Sequence, residues 1–268
     1  MPMLEDISYS REACIAAVRD YYHFLTQMYM EESVVVEPPK GGWPSVTSDS
    51  MRDVNKTDEV IALLKQLPYI LGPGSSFENP QGAPWCVFSD WQGDLEHVSR
   101  GTSTGETLKL CSEGACITDE VPAHVIGLTT GGRDNANFLL DTELGVVYWI
   151  ECPNEITNNS SCEGIQEDPY DYAPENEAQW RAESGCWAIA DFFEVLKDQF
   201  RELSFIPVTP KLVIDIYATL GHREEGLVVM IQKIYREHGW PDLARYRKAE
   251  CLAAAQAALQ EHYPHWIY

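Results

Sequence analysis

The part of this chain that most limits its fold lies in the middle. Between residues 84 and 151 the segments WCVFSDW, TLKLCSEG, HVIGLTT and NFLLDTELGVVYWIE are short, rich in β-branched and aromatic residues, and bounded by turn formers. No helical pattern separates them, so four or five strands are expected to pair antiparallel. Asp141 to Gly145 would turn the last segment into a hairpin. Both flanks read as helix. Ser10 can cap REACIAAVRDYYHFLTQMYM, where Ile15, Val18, Tyr22, Leu25 and Met28 form an apolar stripe, and Thr57 can open DEVIALLKQL. Downstream, ADFFEVLKDQFREL, KLVIDIYATL after Thr209 and Pro210, EEGLVVMIQKIYREHG before Pro241, and DLARYRKAECLAAAQAALQEHYP are predicted helices. The expected class is α+β, with N-terminal helices, a central mainly antiparallel sheet of four to five strands and a C-terminal helical part. One domain is expected over 1–268: helical in 1–70, strand-rich in 84–151, an acidic loop in 151–183 and helical in 184–268.

The loop reading of 151–183 rests on turn residues and charge, with nine Asp/Glu against one Arg. Such a segment is either a solvated connection or an acidic rim that gathers a cationic substrate. The whole chain shares the bias. Its formal net charge of −23 repels polyanions, so a nucleic-acid partner would need a local basic patch. One segment qualifies: KIYREHGWPDLARYRK, with Lys233, Arg236, Arg245, Arg247 and Lys248 against two acids. These cations are either helix-surface charges that satisfy neighbouring acids or a small platform for phosphates. The N-terminal MPMLEDISYSREACIAAV lacks a basic stretch before an apolar run, and no run reaches the ~18 apolar residues of a membrane span, so a soluble cytoplasmic protein is expected. The eight cysteines show no Cys-x-x-Cys and no zinc-finger rhythm. Free, partly buried thiols and no metal are expected, with a zinc site at Cys111 and Cys116 the minor alternative.

Common catalytic motifs are missing: there is no GxGxxG after a strand, no P-loop, no HExxH and no GxSxG. TTGGRDN, 129–135, is either a turn between strands or a small anion nest. The histidines are scattered; His124 opens a strand, and others sit near helix ends, where surface or capping roles are expected. The candidate chemistry lies in ADFFEVLKDQFREL. Phe192, Leu196, Phe200 and Leu203 recur at helical spacing, and Phe193 widens the stripe. Asp191, Glu194 and Asp198 fall on the adjacent face, with Lys197 and Arg201 in reach. They are either an acidic flank beside a buried stripe or mutually repelling carboxylates usable as a base and as a guanidinium site.

The segments RDYYHFLTQMY, EPPKGGWP, KTDEVIALLKQLPYI, GLTTGG, LLDTELGVVYWIECP, ADFFEVLKDQFRELSFIP and YREHGWPDLARYRK resemble the fungal arginine-containing cyclodipeptide synthases over about residues 11 to 264. The resemblance implies an enzyme that joins arginine and a second amino acid, taken from arginyl-tRNA and a second aminoacyl-tRNA, into a diketopiperazine. It implies no cofactor and no ATP step, since the ester is already activated. The family motif Asp-Asp-x-x-Glu would fall on ADFFE, so Asp191 and Glu194 match and Ala190 stands where the first aspartate is expected. In that role the two carboxylates would hold the guanidinium or accept the amine proton. A weaker similarity, in element order and in WAIADFFEVL, is to the Smi1/Knr4-like regulatory and immunity domains, and implies a non-catalytic interaction module with an acidic surface.

Overall fold

The computed structural model describes residues 2–72, 79–131, 135–217, 224 and 226–266. α1 (Arg11–Met28) starts where its cap predicts, with the Ser10 hydroxyl accepting from Ala13 N at 3.3 Å. β1 (Val35–Val36) pairs antiparallel with β2 (Tyr69–Ile70), and α2 (Asp58–Leu64), capped by Thr57, lies between them in sequence. β3 (Gln81–Ala83) and β4 (Cys86–Phe88) form a hairpin, followed by α3 (Trp91–Ser99) and α4 (Gly105–Glu113). Next come β5 (Val125–Gly127), β6 (Thr129–Thr130), β7 (Phe138–Asp141) and β8 (Val146–Ile150). Short helices α5 (Asn154–Asn159), α6 (Pro169–Tyr172) and α7 (Glu175–Ala182) lead to β9 (Ser184–Ala188), which runs directly into α8 (Ile189–Glu202). A hairpin of β10 (Phe205–Pro207) and β11 (Val213–Asp215), then α9 (Leu227–Glu237) and α10 (Lys248–His262), complete the described chain.

The class is α+β, and every sheet is antiparallel. The largest sheet has the order β5-β7-β8-β9, and β3-β4-β6 forms a second. Along β7 and β8 the side chains alternate between two cores, as the two-residue period of a strand requires. Phe138, Leu140, Val147 and Trp149 join the main core, which extends in sequence from Cys14 to Leu259. Leu139, Val146 and Tyr148 join a second, smaller core with Val125, Ile165, Trp180 and Cys186. α8 covers the first face: Phe192 packs on Phe138 with ring centroids 5.0 Å apart. α1 packs in turn on α8, through Tyr21 on Phe193 and Phe24 on Phe200.

The second face is covered by the segment expected to be a loop. Residues 151–183 contain α5, α6 and α7, and bury Ile156, Ile165, Ala178 and Trp180. Trp180 meets Tyr148 edge-on at 5.2 Å. Burial of one such side chain is worth roughly 2–3 kcal/mol as an upper estimate, so these four residues are the apolar anchors of a segment otherwise dominated by acids.

Four further expectations are corrected. TLKLCSEG is not a strand but lies in α4, where Thr104 caps through Thr107 N at 3.1 Å and Leu108 and Ser112 share the buried face. Its brief alternation also satisfies a helical spacing of four. Helices α3 and α4 therefore do separate the strand segments, but they connect strands of different sheets, so pairing stays antiparallel. KLVIDIYATL is not a helix in its described part. Thr209 does accept from Leu212 N at 3.0 Å, but in a turn, and Val213 to Asp215 pair with β10, which buries Val213 and Ile214. The helical region expected from 184 opens with β9, and the last helix starts at Lys248, because Asp242 closes a turn on Ala244 N at 3.0 Å. The glycine-arginine part of TTGGRDN, 132–134, lies outside the described residues.

Candidate functional site

α8 brings Asp191 and Glu194 to one face, one turn apart, as their spacing predicts. Their surroundings then differ. Glu194 accepts from Lys197 Nζ at 2.6 Å and from Arg201 Nη1 at 3.1 Å. Lys197 is buried and also donates to Asp20 of α1. Arg201 pairs with Asp198, which in turn accepts from Ser161 of the insertion, and its guanidinium stands 5.4 Å over the Phe24 ring. One polar network thus ties α1, α8 and the insertion together, and Glu194 is its centre. Asp191 is half-buried in the first turn of α8, where the positive helix end favours a carboxylate. No cation pairs with it among the described residues. Ala190 beside it is exposed. Cys162 is close enough for Asp191, Asp198 and Glu194 to add to the upward push that burial gives its thiol.

The basic segment disperses. Lys233 pairs with Glu237 at 3.7 Å, Arg245 with Asp242 at 3.3 Å, and Arg247 with Glu250 at 2.8 Å. Arg245 sits in the turn before α10, so it does not share a helix with Lys248. Lys248 is occupied inside the fold: its Nζ donates to the carbonyls of Thr26 and Met30, both at 2.7 Å, and burial lowers its pKa. With Tyr246, whose hydroxyl donates to the Met28 carbonyl at 2.7 Å, it caps the C-terminal end of α1. Arg236 alone of the five is exposed with no ion partner among the described residues.

A buried polar cluster joins α7 to β7. Arg181 of α7 reaches Asp141 of β7 through Nη1 at 2.9 Å and Glu177 Oε2 through Nε at 3.1 Å and Nη2 at 2.7 Å. Burial lowers the Arg181 pKa, and the charges and hydrogen bonds of Tyr148, Asp141 and Glu177 more than reverse this. The guanidinium is also 4.9 Å from the Tyr148 ring and 4.7 Å from the Trp180 ring. His124 lies 3.6 Å from both Asp141 and Glu143. Two cavities flank the cluster. One, of about 400 Å³, opens between the insertion and β9 and includes Tyr148, Glu167, Asp168, Tyr172 and Arg181 in its wall. The other, of about 180 Å³, is bordered by His124, Glu143, Tyr172, Glu177 and Arg181. Neither touches Asp191 or Glu194. The sequence carries no signal for this cluster, because Asp141 and Arg181 meet only through sheet and helix packing.

A second missed group is Asp90 and Asp94, four apart at the start of α3. Asp90 caps the helix by accepting from Gly93 N at 3.1 Å. Burial, with the Asp90 charge added, pushes the Asp94 carboxyl up to about 7, into the range of a general acid or base at neutral pH. The four-residue spacing is visible in the sequence, but WCVFSDW, which ends at Trp91, reads as strand by its composition and hides the helix start.

All eight cysteines are free; burial pushes the thiols of Cys14 and Cys152 up to about 12 and that of Cys251 to about 11. Among the described residues no group of three or more His, Cys, Asp or Glu side chains is arranged to hold a metal ion, and no helix is long and apolar enough to cross a membrane. No family model, no curated protein and no solved structure matches the chain.

Proposed function

We propose that the chain is an interaction module of the Smi1/Knr4-like kind, working in the cytoplasm, whose acidic insertion takes a basic protein partner. One observation carries this reading. The insertion is an ordered cover over a sheet face, and its only cation, Arg181, is buried and paired, while Glu151, Glu155, Asp168, Asp171, Glu175 and Glu183 are exposed. A surface of one sign on a fixed scaffold speeds encounter with the opposite sign and rejects its own. The test is binding of a lysine-rich peptide at rising salt. Glu155→Lys with Asp171→Lys and Glu175→Lys should weaken binding at least tenfold. Glu106→Lys with Asp119→Lys and Glu261→Lys changes net charge equally, but outside the insertion, and should weaken it much less. Equal effects of the two sets would reduce the reading to a generic charge effect and overturn it.

A second reading, an arginine-containing cyclodipeptide synthase using arginyl-tRNA and a second aminoacyl-tRNA, is favoured by Asp191. It is a carboxylate without an ion partner among the described residues, one turn from Glu194 and next to the exposed Ala190. Asp191 would then accept the amine proton and Glu194 would hold a guanidinium in place of Arg201. Expression in yeast followed by mass spectrometry decides it: arginine-containing cyclic dipeptides should appear, and Asp191→Asn should abolish them. Folded protein without product removes this reading.

A further inference from the structure

A larger cavity, of about 640 Å³, opens between α4 and the sheet. Leu110 and Cys111 of α4, Cys116 and Ile117 of the turn after it, Asn137 before β7 and Ile150 of β8 form most of its wall. The apolar part of that wall is open to solvent. Leu110 is 41% exposed, and Ile117 and Ile150 are half-buried. The Asn137 side-chain amide has no hydrogen-bond partner among the described residues. Gly114, left-handed at a φ of 88°, gives it room: a Cβ there would stand 3.2 Å from Asn137 Nδ2. Two thiols share the cavity, in different settings. Of the eight cysteines Cys116 alone is exposed; four are buried and three, Cys111 among them, are half-buried. Burial and the Asp94 charge push the Cys111 thiol up.

We infer that this cavity is a covalent site for apolar α,β-unsaturated aldehydes, with Cys116 as the nucleophile. Neither reading of the function uses these residues. The Cys116 thiol gives its proton to solvent, and its sulfur forms a bond to the β-carbon of the enal. The alkene π pair moves toward the carbonyl oxygen, to which Asn137 Nδ2 donates. The α-carbon then takes a proton from water, so thiol and enal together make the adduct and no oxidant or reductant is needed. The alkyl chain lies on Leu110, Ile117 and Ile150 and leaves water. No Lys, Arg or His among the described residues lines the cavity to activate the sulfur. Selectivity therefore comes from holding the reagent, and a long chain is held better than a short one. A nine-carbon enal, about ten heavy atoms at ~30 Å³ each, fits with room to spare.

The test incubates the full chain with trans-2-nonenal and, separately, with trans-2-butenal, which carries the same reacting group on a short chain. Free glutathione is the reference thiol. After borohydride reduction, peptide mapping by mass spectrometry should place the first adduct at Cys116 and not at Cys111. The ratio of the nonenal rate to the butenal rate should exceed the same ratio for glutathione about tenfold. Leu110→Gln, which changes an exposed side chain, should lower the ratio about threefold and leave the butenal rate unchanged. Cys116→Ser should remove the fast adduct. Adducts spread evenly over several cysteines, a rate ratio equal to that of glutathione, or a ratio unchanged in Leu110→Gln would each overturn the inference.

Discussion

Asp94 shows how one carboxyl can oppose the fold it sits in. An aspartate ordinarily titrates near ~3.9, and this one is pushed up to about 7. Between those values the folded chain holds a proton that the unfolded chain has lost. Stability from this group therefore falls as pH rises from ~4 to ~7 and is flat above. Asp94→Asn removes the cost and should leave urea stability almost unchanged at pH 4 but raise it by ~1–3 kcal/mol at pH 8, after discounting for partial exposure. An equal change at both pH values would show that burial does not govern this group. Arg181 presents the opposite case. Arg181→Ala leaves Asp141 and Glu177 buried without their cation, and should cost ~3–5 kcal/mol in urea unfolding. Adding Asp141→Asn and Glu177→Gln should recover part of it. A loss below ~1 kcal/mol in the single variant would mean that the cluster does not hold the insertion to the sheet.

At the scale of elements, α1 is closed at both ends by side chains, one local and one remote. Ser10 acts three residues from its partner, so the cap could be read directly from the sequence. Lys248 acts across 222 residues on the Thr26 carbonyl. Lys248→Met keeps the stem but removes the capping charge, and should lower stability by ~1–2 kcal/mol. That loss should appear in denaturant melts with no change in affinity for a tRNA probe. A selective loss of tRNA affinity would restore the phosphate platform. β7 and β8 were equally legible, because FLLD and VVYWI lie on either side of a tight turn. Their β-branched and aromatic residues identify strands but not that both faces are buried. TLKLCSEG and KLVIDIYATL mislead for one reason: over ten residues or fewer, apolar spacing fits either element until packing decides.

For the whole molecule, the net charge of −23 acts as a self-repulsion that salt relieves. Raising ionic strength from 0.01 M to 0.15 M shortens the screening length from ~30 Å to ~8 Å. The melting temperature should rise by roughly 2–4 °C if ~1 kcal/mol of repulsion is removed. A fall would show that screened ion pairs, such as the network through Glu194, Lys197 and Arg201, outweigh the repulsion.

The sequence by itself determined the class, the first helix and its cap, the hairpin of β7 and β8, and the acidic face of α8. Each depends on residues within a turn or two of one another, and local sterics and hydrogen bonding act at that range. Tertiary structure alone decided that Glu194 centres an ion network while Asp191 stands apart, and that Lys248 closes α1. It also decided that the acidic segment is a helical cover whose one arginine is buried against Asp141. Those partners lie 40 or more residues apart in several cases, as Asp141 and Arg181 do. Only burial of apolar surface such as Trp180 and Ile165 brings them together, and that depends on the whole chain at once.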